Sequence, residues 1–401
     1  MIRKLCKNMF FTVCFMVSVL TFNAQNALNF DKVNDYIQTP YAGVLGSANR
    51  TFEAWIYIPS SSPTSNLAIL DYGLNQTGGR NTFAVGGDRS LKFIAGSANV
   101  STEADTVPLD TWVHVAFVKN GTTGYLYING DEMGSASVTA LNTPSTGDNL
   151  KIGERVTGGS ILFQGNIDEV RIWNIARTQA EIQSTMNTGV CEDVAGLQAY
   201  FKLDEGIAEG DNSGVTTAID AVNGNDGTLM GFDLSAGAVS NYVEGHGLVA
   251  LEGAALTAAQ TGATYQWVDC DNANTAIVGA TEQVYTPVEP GSYAVEIMVD
   301  GCTTTSECVE VSSLGVKDVL FANNLKLHPN PTSGDVKVTL NGVYQTVDAQ
   351  LVSITGKVVA TYQFSNTNEF SLDLNNFNSG LYFLNLRADH LDAATVKVVK
   401  M

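Results

Sequence analysis

Residues 163–174 read FQGNIDEVRIWN and indicate the fold class. Asp168, Val170 and Ile172 alternate with Glu169 and Arg171, which is the period of two that is typical of a β-strand. A regular strand places Asp168 on the face of Val170 and Ile172, and places Glu169 beside Arg171 on the opposite face. We expect Glu169 and Arg171 to form a surface ion pair, which contributes little to stability.

The same alternation recurs along most of the chain. Residues 51–58 and 197–204 alternate in the same way, and residues 125–128 run into Asn129-Gly130, a strong hairpin signal. One short helix interrupts the pattern, where Thr178 and Glu181 form a capping box. The 38 glycines supply turns between the strands. The sequence therefore predicts an all-β protein.

Charge and the first residues indicate where the protein works. The 401 residues include 21 basic and 41 acidic side chains, a formal net charge of −20, which disfavours nucleic acid and anionic lipid as partners. Residues 1–24 begin with basic side chains, continue as an apolar run and finish at Asn23-Ala24, as a removable signal peptide does. We expect cleavage after Ala24 and no transmembrane segment after it.

Several stretches together resemble the laminin G-like, concanavalin A-type jelly rolls. They are residues 27–31, 52–56, 111–116, 125–130, 150–153 and, most specifically, 163–174. Residues 196–232 resemble the segment that usually begins such modules, although here it comes last. We therefore expect it to supply the remaining strands of the same sandwich in permuted order, so that the domain covers residues 25–244.

Concanavalin-like folds include glycosidases, so two carboxyl groups on one strand face would indicate catalysis. Asp168 and Glu169 are sequence neighbours and are expected to point to opposite faces, and the four histidines lack zinc-ligand spacing. We expect no enzyme.

A structural calcium ion is a weaker hypothesis, with Asp168, Asp220 and Asp226 as its candidate ligands. Backbone amide donors at Asp168, and turn chemistry in the loop at residues 220–226, are the alternatives.

The tryptophans and the polar loops are the remaining features of this domain. Trp55, Trp112 and Trp173 lie within regular strands, so we expect core side chains rather than platforms for sugar rings. Binding loops of a sandwich lie at strand ends, and the long polar ones are residues 59–66, 72–81 and 140–149.

Residues 245–312 resemble the small immunoglobulin-like modules of secreted bacterial adhesins, through residues 265–270, 291–295 and Gly301-Cys302. Cys302 and Cys308 lie about 20 Å apart in one extended strand and so do not pair with each other. We expect Cys270 to pair with one of them, which leaves the other and Cys191 unassigned. The module is interpreted as a spacer or an adhesive unit.

Residues 320–401 contain PNPTSG at 329–334, ITGK at 354–357 and SGLY at 379–382. In that order they resemble the type A sorting domain of type IX secretion. The motif positions carrying the resemblance are Pro329, Asn330, Pro331, Gly334, Gly356 and Gly380. About seven strands are expected, in a compact sandwich. The resemblance implies contact with the secretion machinery and a sortase, followed by release or by anchoring to lipopolysaccharide.

The predicted fold is thus a concanavalin A-like jelly roll followed by two small immunoglobulin-like β sandwiches. The function we expect is that of a secreted or cell-surface binding protein, which recognises a glycan or an extracellular protein through the jelly roll. A secreted polysaccharide-degrading enzyme and a purely structural surface component are the alternatives.

Overall fold

The computed structural model describes residues 25–62, 64–155, 161–312, 325–388 and 392–401. The predicted signal peptide at residues 1–24 lies outside the described residues. The chain forms two compact units, one ending at Ser312 and the other beginning at Ser313. Within the described ranges, no helix is long and apolar enough to cross a membrane.

Residues 25–244 fold into sixteen strands and one helix. The elements are β1 (Asn26–Asp31), β2 (Tyr36–Gln38), β3 (Arg50–Tyr57), β4 (Leu67–Gly73), β5 (Arg80–Val85), β6 (Leu91–Ile94), β7 (Val100–Ser101), β8 (Trp112–Asn120), β9 (Thr123–Ile128), β10 (Asp131–Ser137), β11 (Asp148–Ile152), β12 (Gln164–Trp173), α1 (Gln179–Thr185), β13 (Leu197–Phe201), β14 (Thr217–Ala218), β15 (Gly227–Met230) and β16 (Tyr242–Glu244).

These strands form two eight-stranded sheets. Sheet A has the order β10-β9-β8-β3-β12-β1-β16, with β13 also paired to β12, and sheet B has the order β14-β15-β2-β11-β4-β5-β6-β7. The inner faces pack together through apolar side chains such as Phe30, Phe52, Phe83, Phe93 and Phe117. Strands β13 to β16 thus join both sheets of one sandwich. The all-β, concanavalin A-like fold class is confirmed.

The central strand β12 differs from the predicted regular alternation. Asp168 pairs with Trp55 on the outer face of sheet A, and the register shifts before Arg171 pairs with Glu53. Glu169 adopts a positive φ of 53° at this bulge. The predicted face of Asp168 was therefore wrong, because the extra residue reverses which side chains face inward. Glu169 and Arg171 do pair, but they are buried rather than on the surface.

The middle module at residues 245–312 contains two small sheets. Its elements are β17 (Val249–Glu252), β18 (Ala255–Ala258), β19 (Thr264–Asp269), a 3₁₀ helix (Cys270–Asn272), β20 (Thr275–Ala276), β21 (Val284–Tyr285), β22 (Gly291–Val299), β23 (Cys302–Thr305) and β24 (Val309–Val311). The sheets are β17-β18-β21 and β20-β19-β22-β23, with β24 also paired to β22. Its immunoglobulin-like character stays a prediction.

In its described residues, the second unit contains five strands in one sheet, whereas about seven were expected. They are β25 (Lys326–His328), β26 (Asp335–Ser353), β27 (Val358–Asp373), β28 (Gly380–Ala388) and β29 (Asp392–Lys400). Strand β26 is unusually long, because pairing with β27 continues through a register shift between Thr339 and Tyr344. Gly356 has a φ of 80° in the turn between β26 and β27.

Candidate functional site

Four half-buried side chains lie side by side on the outer face of sheet A. Cross-strand pairing joins Asn29 to Asn166, Asn166 to Tyr57, and Tyr57 to Trp112, across β1, β12, β3 and β8. Their sequence neighbours Leu28, Phe30, Ile56, Ile167 and Val113 all belong to the core of the sandwich. Successive side chains of a strand point to opposite faces, so the four point away from the core. We call Asn29, Asn166, Tyr57 and Trp112 the open row.

The open row presents two amides next to two aromatic rings. Asn29 Nδ2 donates to Asn166 Oδ1 over 2.6 Å, and the Ser240 amide donates to Asn29 Oδ1 over 3.0 Å. The Tyr57 and Trp112 rings lie 5.9 Å apart between centroids. Among the described residues, no hydrogen-bond partner is found for Asn166 Nδ2, the Tyr57 hydroxyl or Trp112 Nε1. Each of these groups is therefore available to a ligand.

A groove of about 540 Å³ lies over the amide end of this row, where Asn29, Asn166 and Tyr57 line it. Its other walls come from the loop at Ala208 and Glu209, from Ala238, and from Val243 and Glu244 of β16. Small apolar residues and polar residues thus line the same groove, as is typical of sites that bind small molecules.

Gly165 shapes the floor of the groove. It has a φ of +119°, and a Cβ atom there would lie 2.0 Å from the carbonyl oxygen of Tyr57. Only glycine permits β12 to approach β3 so closely at this point. The position of Asn166 beside Tyr57 depends on that approach.

The neighbouring row on the same face is covered. Asp168, Trp55 and His114 are paired across β12, β3 and β8 and are buried, and we call them the covered row. His246, among the first residues of the middle module and before β17, stacks on Trp55 with centroids 4.3 Å apart. Its Nδ1 lies 2.8 Å from Asp168 Oδ2. Burial raises the pKa of Asp168 well above its usual value and lowers the pKa of His246 to about 4.

The middle module packs directly on the jelly roll, within one compact unit. A disulfide joins Cys191 to Cys302 of β23, and the Gly189 amide donates to Thr304 Oγ1 over 2.9 Å. Gln260 Nε2 donates to the carbonyl oxygen of Gln183 in α1 over 3.2 Å. The second disulfide, Cys270 with Cys308, lies inside the module. Sequence reasoning left Cys191 unassigned because its partner comes 111 residues later.

Buried ion pairs hold α1 and the segment after it against sheet A. Arg177 Nη1 donates to Glu53 Oε1 over 2.8 Å. Arg171, which pairs with Glu169 in β12, donates to the carbonyl oxygens of Thr185 in α1 and of Thr188 after it. Burial alone would raise the pKa of Glu53, but Arg177 and His114 outweigh it and hold this pKa below its usual value. All four charged side chains are buried, so these pairs connect β3 and β12 to α1 and its flanking residues out of contact with solvent.

The predicted calcium ligands are not brought together. Asp168 contacts His246, whereas Asp220 accepts hydrogen bonds from the amides of Tyr200, Val222, Asn223 and Asn225. Asp226 accepts from the Asp220 amide. Throughout the described ranges, no group of three or more His, Cys, Asp or Glu side chains could hold a metal ion. The carboxylate of Asp220 thus accepts from amides of its own loop and of β13, and calcium binding by this loop stays a prediction.

Two of the predicted binding loops are tied to each other. Arg50 is buried, and its Nη1 donates to Asn81 Oδ1 and Thr143 Oγ1 over 2.9 Å each. The Asn142 amide donates to the Gly78 carbonyl over 2.8 Å. Of the predicted core tryptophans, Trp55 and Trp173 are buried, on the outer side of sheet A, and Trp112 is half-buried.

The sorting motif contacts the last strand of the second unit. Asn330 Nδ2 donates to the Lys397 carbonyl over 2.7 Å, and the Val399 amide donates to Asn330 Oδ1 over 2.9 Å. The Thr332 amide donates to the Val399 carbonyl over 2.8 Å. Gly334 approaches Asn375, Gly356 lies in a turn and Gly380 begins β28. Pro329 and Pro331 flank Asn330 and fix its approach to β29.

Comparisons with known proteins support the two resemblances. Residues 31–183 match the concanavalin A-like lectin/glucanases superfamily, and residues 326–401 match the secretion system C-terminal sorting domain. Pappalysin-1 of Mus musculus is 37% identical over 82 residues, which are 19% of this chain and 5% of that protein. The chain thus spans a small fraction of that relative.

Solved structures with similar folds include a protein from Bacteroides ovatus ascribed to carbohydrate binding, with a TM-score of 0.43 and 22% identity over 55% of this chain and 62% of that one. A heptameric SAP-like pentraxin from Limulus polyphemus has a TM-score of 0.33 and 15% identity, over 45% of this chain and 92% of the pentraxin. The C-terminal sorting domain implies export to the cell surface or the extracellular space. The protein is therefore an exported one that contains a domain of the concanavalin A-like lectin/glucanase superfamily and a secretion-system C-terminal sorting domain.

Proposed function

We propose that this exported protein binds glycans, and that the open row is its binding surface. The observation that carries the proposal is the cross-strand order of Asn29, Asn166, Tyr57 and Trp112 on an uncovered part of sheet A. The superfamily that residues 31–183 match includes lectins by its own description, which supports the same function.

The chemistry of the row suits a sugar. A sugar ring has an apolar C–H face and a rim of hydroxyl groups. The rings of Tyr57 and Trp112 offer flat apolar area together with one polar group each, and the amide of Asn166 offers donors for hydroxyl oxygens. Hydrogen bonds to such preset groups fix orientation, whereas the apolar contacts supply most of the affinity.

The covered row does not compete as a binding surface. His246 occupies the face of Trp55, and Asp168 is fully buried beneath it. A ligand would have to displace the first residues of the middle module. The open row, in contrast, presents its aromatic and amide groups without such a cover.

A glycan array probed with the full exported chain tests this function, followed by calorimetric titration of the strongest oligosaccharide. Tyr57→Ala and Trp112→Ala should each weaken binding at least tenfold, because the stacking of a sugar ring on the aromatic ring is lost. Tyr125→Ala is the matched control, since Tyr125 is a half-buried aromatic on β9, two strands from Tyr57. Unchanged binding in both row variants would overturn the proposal.

The same assay separates the alternative functions. Release of reducing ends from the bound polysaccharide would favour a degrading enzyme. If no glycan binds, but the chain captures a defined extracellular protein and Trp112→Ala abolishes that capture, recognition of protein would be favoured. Absence of glycan binding, protein binding and polysaccharide cleavage would favour a structural surface component.

We also propose that a sortase removes the sorting domain after export. The support is the match over residues 326–401 and the division of the chain between Ser312 and Ser313. Mass spectrometry of the protein recovered from the cell surface and from the medium tests this. A mature form that ends before residue 325 is expected, and a form that retains β29 would contradict it.

A further inference from the structure

Two carboxylates flank the groove over the open row. Glu209 lies on the loop after β13, held by its amide donating to the Tyr242 carbonyl over 2.7 Å, and Glu244 is the last residue of β16. Both side chains are exposed. Among the described residues that line the groove, none is Lys or Arg. Neither carboxylate has an ion-pair partner within 4.0 Å in the described parts of the chain.

We propose that the open row selects uncharged oligosaccharides and rejects glycans that carry carboxylate or sulfate groups. This inference rests on the proposed function, and it names the class of glycan that the site takes. A negative group on the ligand would enter a groove that already holds two negative groups and offers no cation to compensate them. The net charge of −20 adds a repulsive field over the whole chain.

The amide and aromatic side chains of the open row can bind a ligand that carries no charge. Asn166 Nδ2, the Tyr57 hydroxyl and Trp112 Nε1 are neutral hydrogen-bonding groups, which pair well with neutral hydroxyls. A site built for an acidic sugar normally presents Arg or Lys, whose charge-assisted hydrogen bonds are stronger and compensate the buried anion. The open row therefore lacks the group that an acidic glycan requires.

The length of the row indicates more than one sugar ring. It crosses four adjacent strands, from Asn29 on β1 to Trp112 on β8, and three inter-strand spacings amount to about 14 Å. A monosaccharide would contact only part of it. We expect affinity to rise from monosaccharide to trisaccharide and then to level off, because additional rings would extend beyond the row.

Paired probes test the selectivity on the full exported chain. Galacto-oligosaccharides are compared with galacturonic acid oligosaccharides of equal length by calorimetric titration, in low salt and with a chelator present so that no metal ion bridges carboxylates. If another neutral series scores higher on the array, that series and its uronic acid counterpart replace them. The neutral member should bind at least tenfold more tightly, and the ratio should shrink as salt is added, since salt screens the repulsion.

Substitution of the carboxylates assigns the effect. Glu209→Gln with Glu244→Gln should lower the ratio of neutral-probe affinity to acidic-probe affinity at least fivefold, because both repelling charges are removed while both side chains keep their length. Glu132→Gln is the control, because Glu132 is an exposed acid on β10, outside the groove. Equal affinity for both probes in the unchanged chain would overturn the inference while leaving glycan binding intact. Binding of neither probe, on any array member, would instead remove the proposed function itself.

Discussion

The ring of His246 stacks on that of Trp55, with the ring centroids 4.3 Å apart and an angle of 13° between the ring planes. Nδ1 of His246 also lies 2.8 Å from Asp168 Oδ2. This contact joins the first residues of the middle module to the centre of sheet A. The ring of His246 covers the covered row and lies beside Trp112, with 6.3 Å between the two ring centroids. The extent of the open row is therefore set where the middle module attaches.

The first prediction concerns this contact. His246→Ala should lower the free energy of unfolding by about 2–4 kcal/mol, because Trp55 loses its stacking partner and the buried Asp168 loses its hydrogen bond. Thermal unfolding measures the loss, and tryptophan emission should shift to longer wavelength as Trp55 meets water. His328→Ala is the control, since His328 is exposed in the second unit. An unchanged emission spectrum would contradict the account of the covered row.

The second prediction concerns the two disulfides. The Cys191–Cys302 bond closes a loop of 111 residues across the junction, whereas Cys270–Cys308 closes 38 residues inside the module. Replacing either pair with serines should cost about 2–5 kcal/mol. Their patterns of limited proteolysis should differ. Loss of the first pair should expose the segment at residues 245–247, and loss of the second should expose residues 271–307. Identical cleavage patterns would show that the junction disulfide does not tie the module to the jelly roll.

The third prediction is a pH dependence at Asp204. Burial, together with the negative charges of Asp168 and Glu169, raises the pKa of Asp204 to about 8. The unfolded chain loses this proton near pH 4, at about the ordinary pKa of an aspartate, so stability falls as the pH rises from there to the folded-state pKa. Asp204→Asn keeps the acceptor for the Asn26 amide, which donates to Asp204 Oδ1 over 2.8 Å.

The variant should be little changed at pH 4 and more stable than the unchanged chain at pH 9, by roughly 2–5 kcal/mol. Denaturant unfolding at a series of pH values measures the difference. Asp211→Asn is the control, because Asp211 is exposed on a loop. A stability difference that stays constant from pH 4 to pH 9 would show that Asp204 is ionised in the folded protein.

The fourth prediction concerns the sorting motif. Asn330→Ala should remove both hydrogen bonds to β29 and destabilise the second unit by about 1–3 kcal/mol. The expected results are faster hydrogen exchange of the Val399 amide and a lower melting temperature of the second unit. Asn368→Ala, an exposed asparagine on β27, should have neither effect. Unaltered exchange at Val399 would mean that Asn330 is not what holds the last strand.

The sequence predicted the sandwich well, because alternation and turn chemistry are local properties. The alternation predicted at residues 51–58 is confirmed, since Phe52, Ala54 and Ile56 of β3 pack in the core. It failed at Asp168, because the bulge at Glu169 shows no local signal in the sequence. It also failed for the outer face of sheet A. Trp55 and Tyr57 share one strand face, and only the position of His246, 189 residues after Tyr57 in the sequence, decides that the first is covered and the second open.

The candidate site follows the same logic. Asn29, Asn166, Tyr57 and Trp112 come from four strands that are distant in sequence, and their order depends on the register of three pairings. No spacing in the chain places them together. The sorting motif, in contrast, was readable because its residues are close together in the sequence and occur in a fixed order.

The most direct test of glycan binding at the open row is a titration of the full chain followed through tryptophan indole N–H signals by nuclear magnetic resonance. The described residues contain Trp55, Trp112, Trp173 and Trp267, and Trp112→Phe assigns the signal of Trp112. With the tightest uncharged oligosaccharide, the Trp112 signal should move in proportion to saturation, while those of Trp173 and Trp267 stay in place. Saturable binding that leaves the Trp112 signal unmoved would contradict the account.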